Sequence, residues 1–196
     1  VERGMLRLDE HVSDIIPEFK DYVDPETDAT RYVTVGQLMS HTSGLRPYVA
    51  LERLKEEYPS AERLDRSVML DYIAHSERLD APDSVCRYSC LNYILLGEIV
   101  ERRTGFPLDV YAETNIFQPL GMDNTCFTPD EEYRALCAPT SPWDGEMELR
   151  GVVHDPLARE VMGGVSGNAG LFSTAEDLAI YAAMLLNGGE WNGVKI

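Results

Sequence analysis

Between Ser89 and Thr104 the apolar residues Leu91, Ile94, Leu95, Ile99 and Val100 recur every three or four positions, and Gly105 follows them. That period puts them on one face of an α-helix, and a glycine just past the last turn can adopt the left-handed conformation that ends it. A helix with one apolar stripe must lay it against other elements, and the chain offers mostly helices for that purpose. Asp9 to Ile16 reads as one, stopped by Pro17. Thr34 to Ser40 reads as another, with Thr34 as cap and Val35, Leu38 and Met39 as its apolar face. Leu51 to Glu57 ends before Pro59, and Ser67 to Ser76 offers Val68, Leu70, Tyr72 and Ile73 for burial. Pro107 suits the first turn of a helix to Phe117. Ser173 and Glu176 form a Ser-x-x-Glu capping box ahead of a helix with Leu178, Tyr181, Ala182, Leu185 and Leu186 on one continuous buried face. Strand signals are confined to Thr125–Thr128 and Leu149–Val153, and the stretch from Pro129 to Glu148 reads as a long loop. The expected fold class is therefore mainly α, one lobe with only short strands.

Composition narrows the function. Lys plus Arg number 17 against 34 Asp plus Glu, a net charge of -17. That balance repels phosphate backbones and anionic bilayers, because such partners are bound through cationic groups that displace counterions. Nucleic acid is excluded as the expected partner. No apolar run approaches the roughly 20 residues that span a bilayer, and no basic-then-apolar leader opens the chain. The four cysteines, at positions 86, 90, 126 and 137, lack the close pairing of a zinc site and the density of a disulfide scaffold. Free thiols, no metal and a reducing compartment are the expectation.

Three segments carry the chemistry. Tyr88-Ser89-Cys90 leads into the helix described above. His41-Thr42-Ser43-Gly44-Leu45 precedes it, and His154-Asp155 runs on to Gly163-Gly164-Val165-Ser166-Gly167-Asn168-Ala169-Gly170-Leu171-Phe172-Ser173-Thr174. Each has a bland reading. His41 and Ser43 suit a structural turn in which small polar groups bond local backbone, and Asp155-Pro156 suits a helix cap. Ser166 lacks the second glycine of a Gly-x-Ser-x-Gly elbow.

Taken in order and spacing, these segments resemble the serine beta-lactamase and penicillin-binding protein superfamily. The resemblance is to its class C beta-lactamase, D-alanyl-D-alanine carboxypeptidase and esterase-like branch. Leu6-Arg7-Leu8-Asp9 to Pro17-Glu18-Phe19 and Ile116-Phe117-Gln118-Pro119-Leu120-Gly121-Met122 add to it, so that it covers about two thirds of the chain. The resemblance implies a serine nucleophile in a Ser-x-x-Lys pair, a tyrosine that takes and returns its proton, and backbone donors for the oxyanion. Tyr88 matches the tyrosine. Cys90 stands at the substrate-binding position where the family usually has an Asn or Asp that orients Lys and substrate, and Gly167, Asn168, Ala169 and Gly170 match the wall that faces substrate. No Ser here has Lys three residues later, and no Lys-Thr-Gly strand follows the last helix.

The resemblance thus implies that residues 1–196 are a single partial domain. It would be the helical lobe of a beta-lactamase/transpeptidase-like α/β fold, with the nucleophile segment and most of the sheet missing. Its substrate would be a small molecule or a peptidoglycan-like peptide, it would need no cofactor, and this chain alone would be inactive. A soluble bacterial protein is implied, cytoplasmic or exported with its leader removed. The alternative is a non-catalytic binding module on the same fold, motivated by Cys90. If the chain is such a partial domain, apolar faces of the Ser89–Thr104 and Ser173–Asn187 helices that should meet the absent sheet are expected to be exposed and to drive self-association.

Overall fold

The computed structural model describes residues 1–140 and 149–196. Its helices are α1 (Val12–Ile15), α2 (Val35–Met39), α3 (Leu51–Glu57), α4 (Arg66–His75), α5 (Cys90–Thr104), α6 (Leu108–Ala112), α7 (Gln118–Leu120), α8 (Glu131–Leu136) and α9 (Ala175–Leu186). A π-helical turn, Glu113–Phe117, joins α6 to α7, and another spans Leu157–Val161. The strands are β1 (Tyr22–Val23), β2 (Thr30–Arg31), β3 (Cys126–Phe127), β4 (Leu171–Phe172), β5 (Glu190–Trp191) and β6 (Val194–Lys195). They form three antiparallel pairs, β1 with β2, β3 with β4, and β5 with β6.

Local chemistry sets several boundaries where the sequence places them. Thr34 Oγ1 accepts from Gln37 N at 3.2 Å while Gln37 Oε1 accepts from Thr34 N at 2.9 Å, so α2 opens on a reciprocal capping box. Asp65 Oδ1 accepts from Ser67 N and Val68 N and starts α4. Gly105 ends α5 at φ 74°, a conformation costly for any residue with a Cβ.

The stripe of α5 forms the centre of the main core. Leu91, Ile94, Leu95 and Ile99 are fully buried against Val12, Leu38, Leu54, Met69, Ile73 and Leu157. Burying each such side chain contributes about 1.5–3 kcal/mol. The α5 face expected to be exposed is therefore covered by α1, α2, α4 and the Leu157 turn. The expectation holds instead for α9, whose face was read from the sequence as buried: Leu178, Tyr181, Leu185 and Leu186 are exposed, Leu186 at 88%. Among the described residues its other side, through Met184, joins a smaller cluster with Ala112, Phe117, Leu120 and Met122.

Other readings also change. Met39 is exposed rather than part of the α2 face, and Met69 and Ala74 are buried in α4 where Val68 and Leu70 are only half-buried. The helix after Pro107 runs past Phe117 to Leu120. Leu149 makes only an isolated bridge with Thr140, so Leu149–Val153 is not a strand. The 129–148 stretch contains α8, capped by Asp130 Oδ1 on Tyr133 N at 2.9 Å; its remainder from 141 lies outside the described residues. The cap of α9 is Thr174, which accepts from Asp177 N at 3.2 Å, one residue beyond the expected Ser173.

A charged cluster ties α4 and α5 together. Arg66 Nη2 lies 2.6 Å from Glu98 Oε2, Arg102 Nε lies 2.7 Å from Glu98 Oε1, and Arg102 also reaches Glu18 at 2.5 Å. Burial alone would push the Glu98 carboxyl up. Hydrogen bonds from Arg102 and Arg66 override it and hold the group below its ordinary value. Because the folded value is depressed, this stabilisation is present above the usual glutamate range and is lost as pH falls through the folded value. Among the described residues, no helix is long and apolar enough to cross a membrane.

Candidate active site

Residues 41–47 run alongside residues 79–90 and hold them by backbone. Leu79 N donates to Gly44 O, Asp83 N to Thr42 O, Arg87 N to His41 O and Cys90 N to Pro47 O, all within 2.8–2.9 Å. Gly44 has φ 78°, and a Cβ on it would collide with the Asp80 carbonyl, so the two segments can lie this close only with glycine there. Ser89 Oγ donates to Arg46 O at 2.7 Å. The turn is structural, as the sequence suggests, and it also fixes the entrance to α5.

At that entrance Tyr88 is 65% exposed, with its ring 4.7 Å from that of His41 and tilted by 48°. Cys90 Sγ lies 3.9 Å from the Tyr88 hydroxyl. The phenol is raised above its ordinary value, first by the hydrogen bond with Cys90, then by charge at Cys90, burial and the charges of Asp155 and Tyr93. None of these groups is cationic. A phenol so placed stays protonated near neutral pH, and acting as a base would require a positive charge beside it from another source.

The second half of the site is a wall built on α5. A Cβ at Gly167 would fall on the Tyr93 carbonyl oxygen, far inside van der Waals contact, and lie 3.1 Å from Gly97 N; a Cβ at Gly97 would lie 3.2 Å from Gly167 N. Backbone therefore meets backbone, and the loop beginning at the buried Ser166 is seated on the helix that Tyr88 leads. Ser166 Oγ donates to Asn168 Oδ1 at 2.7 Å. Gly170, at φ 121°, passes close to Gly164 O and feeds β4, which pairs with β3 as Cys126↔Phe172 and Phe127↔Leu171. Asp177 then clamps this hairpin to α9: its Oδ2 accepts from Asn124 N at 2.9 Å and from Thr125 Oγ1 at 2.8 Å, and Ser173 Oγ donates to Thr125 Oγ1 at 2.8 Å.

Gly167, Asn168, Ala169 and Gly170 line a largely apolar cavity of about 1030 Å³, together with residues such as Phe127 and Tyr181. Tyr88 and Cys90 do not line it. They stand outside, linked to it by Asp155, which lies on the cavity wall and whose charge acts on Tyr88. Asp155 Oδ1 accepts from Ala158 N at 2.8 Å, the capping role read from Asp155-Pro156. All four cysteines are free thiols. The sequence reading missed Asn92, fully buried with Ser43 Oγ 2.5 Å from its Oδ1. The signal was an asparagine directly after Leu91 on an otherwise apolar helix face.

A family model described as Beta-lactamase matches residues 1–193. A Salmonella agona (strain SL483) protein, whose name gives D-alanyl-D-alanine carboxypeptidase as a provisional activity, is 32% identical over the whole of this chain and 48% of its own length. The chain thus spans about half the length of the curated relatives it matches. Two solved structures share the fold. A class C beta-lactamase, 20% identical, superposes with TM-score 0.70 over 94% of this chain and 45% of that one. An octameric penicillin-binding protein homologue from Pyrococcus abyssi, 22% identical, superposes with TM-score 0.68 over 96% and 41%. With a family match running almost end to end and the same fold kept by proteins sharing about a fifth of its residues, the chain belongs to the beta-lactamase family.

Proposed function

We propose that the chain is the helical lobe and one cleft wall of a serine hydrolase that acts through an acyl-enzyme on a β-lactam, a D-alanyl peptide or an ester. In this reading a serine from outside these residues attacks the carbonyl carbon, and its proton passes to the Tyr88 oxygen. The tetrahedral intermediate then collapses, the leaving amine or alcohol takes the proton from Tyr88, and water releases the acyl group by the same steps in reverse. Gly167, Asn168, Ala169 and Gly170 face the substrate. The observation that carries the proposal is the joint between α5 and the wall, which presents an exposed phenol and a backbone-lined loop from one rigid support. No Ser in the chain has Lys three residues later, and the charges around Tyr88 call for a cation that the missing Lys would supply.

Intact-protein mass after incubation with a fluorophosphonate, and separately with a penicillin, tests this. The chain alone is expected to take no adduct, and a longer polypeptide carrying a Ser-x-x-Lys upstream is expected to take one, on that serine. A stoichiometric adduct on a serine of this chain, or none on the longer polypeptide, would overturn the reading.

Cys90 favours a second reading, a binding module that has kept the lobe without the chemistry. A thiol is a weak donor and acceptor, and at 3.9 Å it orients the phenol poorly. Ligand binding with no turnover by the longer polypeptide would select it. As for partners, we infer self-association of this chain through the exposed stripe of α9. Sedimentation across concentration is expected to show dimers or larger species, and a strictly monomeric profile would exclude them.

A further inference from the structure

His41 is bound to the segment leading into α5 through its backbone and through its ring. The backbone is in the left-handed region, at φ 59°, and its carbonyl accepts from Arg87 N at 2.8 Å. The ring nitrogen Nδ1 lies 3.2 Å from Ser89 N and 3.1 Å from Asn92 Nδ2. A backbone N–H can only donate, so Nδ1 must hold a lone pair and the ring proton sits on Nε2. The Asn92 amide agrees with that tautomer, because its Oδ1 receives the Ser43 hydroxyl at 2.5 Å and leaves Nδ2 to face the ring. The imidazole then tilts against Tyr88 and, at 5.1 Å, against Tyr93.

We propose that His41 is a positioning residue for Tyr88 and that it works only while its imidazole is neutral. Protonation places an N–H on Nδ1 that confronts the Ser89 N–H and the Asn92 NH₂ with no acceptor between them. A half-buried donor facing two donors is costly, so the ring leaves its seat, Ser89 loses its acceptor, and the phenol loses the surface on which it rests.

The groups around the ring come from every neighbouring segment. Tyr93 and Asn92 lie on α5, and Cys90 at its start faces Tyr88. Cys86 Sγ donates to Ser40 O next to His41, and Asp83 accepts from Thr42 Oγ1. The Arg87 guanidinium is held by Asp80 at 2.7 Å, which leaves it turned to that carboxylate. Asp155 acts on Tyr88 from the cavity wall. The catalytic consequence rests on the reading of Tyr88 as proton shuttle: activity would be lost wherever protonation unseats the His41 ring.

The test needs no turnover. Long-range proton–nitrogen correlation of the His41 ring and the Ser89 amide signal are followed on the full chain between about pH 8 and 5. The expected result is the Nε2–H tautomer at the alkaline end. Where the ring is found protonated, the Ser89 amide should have moved upfield, with its solvent exchange raised about tenfold. In His41→Asn, which keeps an acceptor oxygen close to the place of Nδ1 and tolerates positive φ, the Ser89 signal should be flat with pH. In His41→Ala exchange should be fast throughout, and if that variant fails to fold the comparison of wild type with His41→Asn still decides. An Nδ1–H tautomer at the alkaline end, or a Ser89 amide that follows pH equally in wild type and His41→Asn, overturns the proposal. Loss of the Tyr88 proton-shuttle reading would show elsewhere, as unchanged turnover in a Tyr88→Phe variant, and would leave these signals as expected.

Discussion

Replacing Tyr88 by Phe in the longer hydrolase proposed above is expected to lower kcat by about 10²–10⁴-fold, the contribution of a positioned acid–base group. The substitution is informative because it removes so little else. The ring that tilts against His41 at 4.7 Å is retained, and among the described residues the lost hydroxyl has only the Cys90 thiol at 3.9 Å as a hydrogen-bond partner. Stability should change by no more than about 0.5 kcal/mol, as for most exposed substitutions. Steady-state kinetics together with a thermal melt therefore separate chemistry from folding. A large fall in kcat with an unchanged melt supports the proton-shuttle role. An unchanged kcat would remove Tyr88 from the reaction and favour the binding-module reading.

The second large effect is on the fold. Gly167→Ala is expected to cost about 3 kcal/mol, at the upper end of what overpacking a tight contact costs, which corresponds to a fall in Tm of roughly 6–12 °C for a chain of this size. Gly167 does not have a positive φ, so the cost is purely steric. Its Cβ would strike the Tyr93 carbonyl, which is part of the helical backbone and cannot rotate away like a side chain. Gly163→Ala is the control. That glycine has φ 68° but open space around its Cβ position, so only the left-handed strain of about 1–2 kcal/mol applies. Melts of the two variants should differ by several degrees, and equal melts would mean that the wall is not seated on α5 as described.

What the sequence made legible was whatever depends on near neighbours. The limits of α3, the Gly105 stop and the Thr34 cap rest on residues within one turn of each other, and all three stand in the structure. The cap of α9 moved by one residue because Ser173-Thr174-Ala175-Glu176-Asp177 contains two overlapping capping patterns. The choice between them was made at a distance, since Thr125 takes the Ser173 hydroxyl and frees Thr174 for the cap. The strand signal at Thr125–Thr128 contains β3, whereas the other two-residue strands carry no periodicity to read, and β3 meets β4 only after the chain has passed through α8 and the second π-helical turn. Apolar spacing on α9 pointed to a buried stripe that the structure leaves exposed, burying Met184 instead, because spacing does not say whether anything covers a face. Around the site, Tyr88 and the 167–170 wall were reached through motif resemblance. Asn92, by contrast, is a hub only once His41 and Ser43 are brought to it from 51 and 49 positions away.

The joint of Gly97 with Gly167 also governs how a cleft of this kind can be re-tailored. Two backbones in direct contact offer no series of intermediate side-chain sizes, so the spacing between helix and wall cannot be adjusted by degrees. If the cavity receives substrate as proposed, variation in what is admitted has to come from the side chains of Asn168 and Ala169, or from surfaces on the opposite side of the cavity. An engineer seeking a wider mouth would begin there and leave both glycines alone.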